Sequence, residues 1–265
     1  MTPDQIQIAA NALFEAEKSR QQMELISLAN PQMTMDDAYA IQSAYVDKKR
    51  KNGGKQHGWK IGLTSKAMQS ALGIDIPDSG ILFEDMFFEN GSQIPRDRFI
   101  QPRIEAEIAF VMKAPVSGPN ITREQVIAAT DYVCPSLEIL DTRIVRQDAK
   151  TGISRKIFDT IADNAANAGI VLGTQKHQIN AFDLRWVGAI VTNNDEVEET
   201  GLGAGVLNDP VMGIVWLANR LAQYNQSISA GDVVLSGSFI RPVETEFGDH
   251  IYADFGPFGH VSCTF

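Results

Sequence analysis

The chain predicts an α+β fold in which an N-terminal helical segment, residues 1–57, packs on a mixed, strand-rich body, residues 58–265. Apolar residues recur at helical spacing through much of the first fifty positions. From Gly58 onward, short apolar runs alternate with Gly, Pro and Asp punctuation, the pattern of strands and turns. No stretch rich in Pro, Gly or Ser divides the chain, and 265 residues with 44% hydrophobic content can build one large core.

Each element has a local cause. Thr2-Pro3-Asp4-Gln5 sets an N-cap, a proline at the first helical position and a capping-box spacing. Ile6, Ala9, Ala10, Leu13 and Phe14 follow as its buried stripe. A second helix is expected from Thr34, through Ile41 and Tyr45, to a stop at Gly53-Gly54. Strands are expected at 59–63, 80–83, 104–112, 136–140, 170–172, 185–192, 232–236 and 250–255. Two helices interrupt them. One runs from Thr122 to Thr130, and a clearer one starts at Asp209-Pro210, a good cap and first residue, and ends near Leu221.

The net charge of −10 argues against a nucleic-acid partner, which would need clustered cations to neutralise phosphates. The one dense basic run, Lys48-Lys49-Arg50-Lys51, reads as a solvated helix end. Cys134 and Cys263 are far apart, in no metal or redox spacing, and read as small buried apolar residues. No apolar run approaches the length of a membrane span, and the first residues lack a signal pattern, so a cytoplasmic protein without a membrane partner is expected.

The chemistry centres on Ile104-Glu105-Ala106-Glu107-Ile108-Ala109-Phe110. The apolar residues alternate as one strand face, so Glu105 and Glu107 share the other, about 7 Å apart along the backbone. Adjacent carboxylates repel unless a proton or cation lies between them. Glu138 sits in the apolar run Pro135-Ser136-Leu137-Glu138-Ile139-Leu140, where an unpaired acid is costly. Three carboxylates without Cys or His suit a hard divalent cation, Mg²⁺ or Mn²⁺. The same spacing also fits a solvent-facing strand with Glu138 paired to an arginine.

Several blocks resemble one family in order along nearly the whole chain. They are Trp59-Lys60-Ile61-Gly62-Leu63-Thr64-Ser65, Pro77-Asp78-Ser79-Gly80, the Glu105/Glu107 strand, Glu138, Asp163-Asn164-Ala165 and Gly237-Ser238-Phe239. Together they resemble the 2-keto-4-pentenoate hydratase / 4-oxalocrotonate decarboxylase family of the fumarylacetoacetate hydrolase-like group. The run from Lys60 to Met68, Phe158-Asp159-Thr160 and Glu198-Glu199-Thr200-Gly201 are similar to the branch that hydrates a seven-carbon unsaturated dioate.

The resemblance implies a distorted mixed β-barrel, a metal held by Glu105, Glu107 and Glu138, and active-site roles for Lys60 and Asp78. Taken alone, Lys60 reads as a surface or salt-bridged lysine and Asp78 as a turn residue. The substrate it implies is a small unsaturated 2-keto acid of aromatic breakdown, whose keto and carboxylate oxygens chelate the cation while water adds to the far alkene carbon. A lysine with a burial-lowered pKa could then move protons. A distal carboxylate would need a cation, for which Arg143, Arg155 and Lys156 are candidates, and Thr160 and Ser238 could donate hydrogen bonds. The resemblance also implies a homo-oligomer, with five or ten subunits as candidate sizes. Competing expectations are the decarboxylase, a five-carbon 2-hydroxydienoate hydratase, a C–C hydrolase or tautomerase, and a non-catalytic partner subunit. No histidine sits in a motif that would activate the hydrolase's water, and Gly201-Leu202-Gly203-Ala204-Gly205 reads as a tight turn, not a dinucleotide loop.

Overall fold

A computed structural model describes residues 1–66, 69–70 and 74–265. The Ala67-Met68 end of the Lys60 block lies outside the described residues. Reciprocal caps start three helices: Thr2 with Gln5 for α1 (Pro3–Ser19), Thr34 with Asp37 for α3 (Met35–Lys51), and Thr122 with Gln125 for α4 (Arg123–Ala129). The short α2 (Ile26–Ala29) links the first two. Asp209 caps α6 (Pro210–Ala222), its side chain accepting from Val211 N. The helix α5 (Ile157–Ala162) is an addition to the expected set, in a stretch that reads as a polar loop.

Ten-residue β4 (Arg103–Met112) and eleven-residue β5 (Thr130–Leu140) form the centre of the larger sheet. With β1 (Gln56–Gly62), β2 (Asp78–Phe83), β3 (Phe87–Phe88), β6 (Asn167–Leu172) and β9 (Val233–Leu235), the sheet runs β2-β1-β9-β4-β5-β6-β3. A short β10 (Val243–Glu244) pairs beside β4. A second sheet, β12-β11-β7-β8, comprises β7 (Gly188–Asn193), β8 (Glu196–Leu202), β11 (His250–Asp254) and β12 (His260–Thr264). The strand expected at 185–192 instead opens with a 3-10 turn, Leu184–Trp186.

The larger sheet mixes parallel and antiparallel pairs and curls into a half-barrel, with β2 and β3 at its ends. One side chain stitches the β2 edge to the segment before β6. Asn164 accepts from Ile81 N at 2.8 Å and donates to Ile81 O at 2.9 Å, pairing as a strand backbone would. The main core fills the half-barrel and its flanks, including Ile61, Ile104, Phe110, Ile139 and Ile170. A second core joins α1 and α3 through Leu13, Ile41 and Tyr45 to Ile144 and Ile161 of the body.

Cys134 and Cys263 are free and buried, and burial pushes both thiols up to about 12. The basic run does close α3, but Lys49 departs from a solvated role. It is buried, pairs with Glu17 at 2.6 Å and lies over the Phe83 ring. Among the described residues, no helix is long and apolar enough to cross a membrane.

Candidate metal centre and active site

The antiparallel register of β4 and β5 sets Glu105 directly opposite Glu138, and Glu107 opposite Ser136. Directly opposed residues share a face, so alternation on one strand and pairing with the next converge three carboxylates on one point. One oxygen from each of Glu105, Glu107 and Glu138 lies within 4.8 Å of the others. Glu107 and Glu138 are fully buried and Glu105 is partly buried, which rules out a solvent-facing strand.

The acids lack enough partners of their own. Glu107 Oε2 accepts from Gly237 N at 2.7 Å, and Glu138 Oε1 from Asn167 Nδ2 at 2.9 Å. Glu107 Oε1 and Glu138 Oε2 are buried with no hydrogen-bond partner among the described residues. Burial, reinforced by the Glu138 charge, raises the Glu105 carboxyl to about 7 and pushes Glu107 well above the usual range. Orphaned carboxylate oxygens facing one another fit a hard cation, which removes both the repulsion and the missing bonds.

Lys60 of β1 reaches this cluster from the side. Its Nζ lies 3.3 Å from Glu138 Oε1 and donates to Ala165 O at 3.2 Å. Burial opposes its charge, but the surrounding acids, Glu138 foremost, outweigh it and hold the ammonium above its ordinary value. This corrects the expectation of a burial-lowered lysine: the site keeps Lys60 charged. Asp78 starts β2 in register with Gly62. A Cβ on Gly62 would lie 2.2 Å from Asp78 Oδ1 and 3.2 Å from Lys60 Nζ, so a glycine is required where carboxylate and ammonium approach. Burial raises the Asp78 carboxyl to about 6, against the pull of Lys60.

Sequence reading missed the turn that supports these groups. Asn164, Ala165 and Ala166 take φ of 50°, 54° and 59°, three successive left-handed residues without a glycine. Such a conformation costs roughly 1–2 kcal/mol per residue and persists where the surroundings demand it. Here Asn164 holds β2, Ala165 O receives Lys60, and Asn167 just beyond holds Glu138. The available signal was a run of polar residues, Asp163, Asn164 and Asn167, among alanines.

Arg143 is not brought into the group as a free cation. Its guanidinium donates to Asp163 Oδ1 at 2.6 Å, Asp163 O at 2.6 Å and Asn167 O at 3.0 Å, so the substrate role expected of it has no free face. Ser238 is adjacent to Gly237, but its hydroxyl donates to Ile240 O at 2.9 Å. Thr160 is partly buried on α5, and no described hydrogen bond ties its hydroxyl to the acids. Gly203–Gly205 forms a 3-10 turn, in keeping with the glycine-rich run.

No family model matches the chain. It is 50% identical over 258 residues to a 2-oxo-hept-4-ene-1,7-dioate hydratase of Escherichia coli, covering 97% of each chain. A 2-keto-4-pentenoate hydratase of Paraburkholderia xenovorans is 37% identical over 265 residues, covering 100% of this chain and 96% of that one. The chain belongs to the 2-keto-4-pentenoate hydratase / 4-oxalocrotonate decarboxylase family. Among solved structures, the 4-oxalocrotonate decarboxylase of Pseudomonas putida G7, complexed with magnesium and adipate, superposes on this family member with a TM-score of 0.93. The two are 33% identical, with 100% of this chain and 98% of that one covered. A fumarylpyruvate hydrolase of Pseudomonas aeruginosa, at 12% identity and a TM-score of 0.59, shares the fold. The hydrolase-like fold expected as a distorted mixed β-barrel is thus present, its larger sheet curled into a half-barrel.

Proposed function

We propose that the protein is a Mg²⁺- or Mn²⁺-dependent hydro-lyase that converts 2-oxo-hept-4-ene-1,7-dioate, or a close 2-hydroxydienoate, to the 4-hydroxy-2-keto acid. The carrying observation is the group of three glutamate oxygens within 4.8 Å, two of the acids with orphaned atoms, beside a buried ammonium. The 50% identical hydratase supports the substrate class. A divalent cation held by Glu105, Glu107 and Glu138 would supply Lewis acidity to the keto and carboxylate oxygens of the substrate.

The chain's own groups account for the proton movements. Asp78 is raised toward neutrality, as a group that exchanges protons near pH 7 should be. It takes a proton from C3, and one is delivered to C5, bringing the double bond next to the ketone. Water then adds its hydroxyl to C4 and a proton to C3, which balances the addition. Lys60, held charged by its acids, stabilises the negative charge that builds on the substrate's oxygens. Asn167 and Gly237 fix the carboxylates by donating to them.

The alternative is decarboxylation on the same scaffold, favoured by relatives of that name at 34% identity over 265 residues. Purified protein with Mg²⁺ should consume the alkene of the seven-carbon dioate without releasing CO₂, and chelator should stop it. Release of CO₂ from a six-carbon 2-oxo-3-ene-1,6-dioate, whose far carboxylate leaves a carbanion conjugated with the ketone, would assign the decarboxylase, and no turnover of either dioate or of the five-carbon monoacid would remove the enzyme reading. We also propose self-association, supported by exposed Trp186, Ile190, Val197 and Leu202 around the smaller sheet.

A further inference from the structure

A group of arginines lies next to the acids. Arg103, Glu105 and Glu107 are alternate residues of β4 and project from one face. Arg103 is partly buried, forms no ion pair among the described residues, and its Nε is buried without a partner. Its cross-strand neighbour Glu244 is already held by Arg146 in a two-pronged pair at 2.6 and 2.9 Å.

The loop after Arg143 folds back on itself and returns a third arginine. Arg155 N donates to Arg146 O at 2.8 Å, and Gln147 bridges to Ser154. Arg155 is partly buried, and its Nη1 also lacks a partner among the described residues. Nearby Asp163 is engaged by Arg143, and Asp141 by the backbone N–H groups of Ile100 and Gln101. Burial lowers the Arg155 guanidinium against the pull of Asp163, and the nearby Arg103 and Arg146 add to the lowering. Crowded cations with unmet donors are costly to keep together unless an anion arrives among them.

The dimensions suit one anion. Arg103 stands two residues from Glu105, about 7 Å along the strand. The two carboxylates of a seven-carbon dioate are separated by six C–C bonds, about 7–8 Å when extended. With the keto-acid end at the glutamates, a chain of that length matches the strand spacing from Glu105 to Arg103. We propose that Arg103 and Arg155 form the subsite for that carboxylate and select dioate over monoacid. This rests on the hydratase reading above.

The test is the ratio of kcat/KM for the seven-carbon dioate to that for the five-carbon monoacid, in Mg²⁺, for wild type, Arg155→Gln and Arg103→Gln. The ratio should fall roughly 10- to 100-fold in each variant, mainly through KM, and Arg155→Lys should recover part of it. An unchanged ratio in variants that still bind Mg²⁺ would overturn the subsite. So would equal losses on both substrates. If wild type turns over neither compound, the hydratase reading fails. Calorimetric titration with heptanedioate in Mg²⁺ then decides the subsite alone: weaker binding to Arg155→Gln than to wild type supports it, and equal binding refutes it.

Discussion

Two buried ionic clusters lie on either side of the Asp163-to-Asn167 turn, and they are built on opposite terms. On one side Arg143 is saturated by Asp163 and Asn167 O, and Lys49 by Glu17, which also accepts from Tyr45 at 2.5 Å. On the other, Glu105, Glu107, Glu138 and Asp78 crowd around Lys60, and three of their oxygens have no hydrogen-bond partner among the described residues. The first cluster is complete without a ligand. The second is short of positive charge and of hydrogen bonds, and both deficits are met by a divalent cation. A buried charge therefore points to function when its partners are missing.

Breaking each cluster should give opposite phenotypes. Glu107→Gln should have the largest effect on activity: turnover falls to background and thermal stabilisation by Mg²⁺ disappears. Without metal, the variant should melt no lower than wild type, because the amide is neutral and needs no proton to stay buried where burial pushes the Glu107 carboxyl well above its usual range. A lower melting temperature in chelator would place Glu107 in the structural class instead. Arg143→Ala should do the reverse and cost about 3–5 kcal/mol in urea unfolding, since Asp163 is left buried and unpaired. Loss of less than 1 kcal/mol would show that the saturated cluster contributes little.

Protons sharpen the contrast. The Glu105 carboxyl sits at about 7 without metal, above its unfolded value, so its neutral form favours folding at low pH. The metal-free protein should therefore lose stability as the pH rises from the ordinary glutamate range through about 7. A cation must displace that proton and the one that burial favours on Glu107, so Mg²⁺ affinity should fall at least tenfold per unit as the pH drops below this point. Calorimetric titrations from pH 5.5 to 8.5 check this, and a flat profile would mean the acids are already ionised. The smallest effect expected is that of Asn167→Ala, which removes the donor to Glu138 and should weaken Mg²⁺ binding about tenfold. A titration indistinguishable from wild type would leave Asn167 a purely structural residue.

The common face of Glu105 and Glu107 was legible because strand alternation is a local rule. Glu105 and Glu107 had to share a face, and an acid in the apolar run around Glu138 needed a reason. What stayed hidden depends on tertiary placement. The Arg143–Asp163 pair spans twenty residues, and nothing in the intervening loop announces that both ends are buried. The left-handed turn at Asn164–Ala166 contradicts the preference of its own alanines, so propensity points away from it. Strand β8, Glu196–Leu202, is an outer strand with polar residues along much of its length, and it lacks the alternation that reveals half-buried strands. The N-terminal helices were legible to the residue at their caps because Thr2 and Thr34 act on groups three positions away.

Everything turns on whether the three glutamates hold one ion. Crystals grown with Mn²⁺ and measured at its absorption edge give the direct answer. A single anomalous peak about 2.0–2.2 Å from oxygens of Glu105, Glu107 and Glu138 is the predicted result. Saturating Mn²⁺ with no peak among those side chains, or one placed elsewhere, would contradict it.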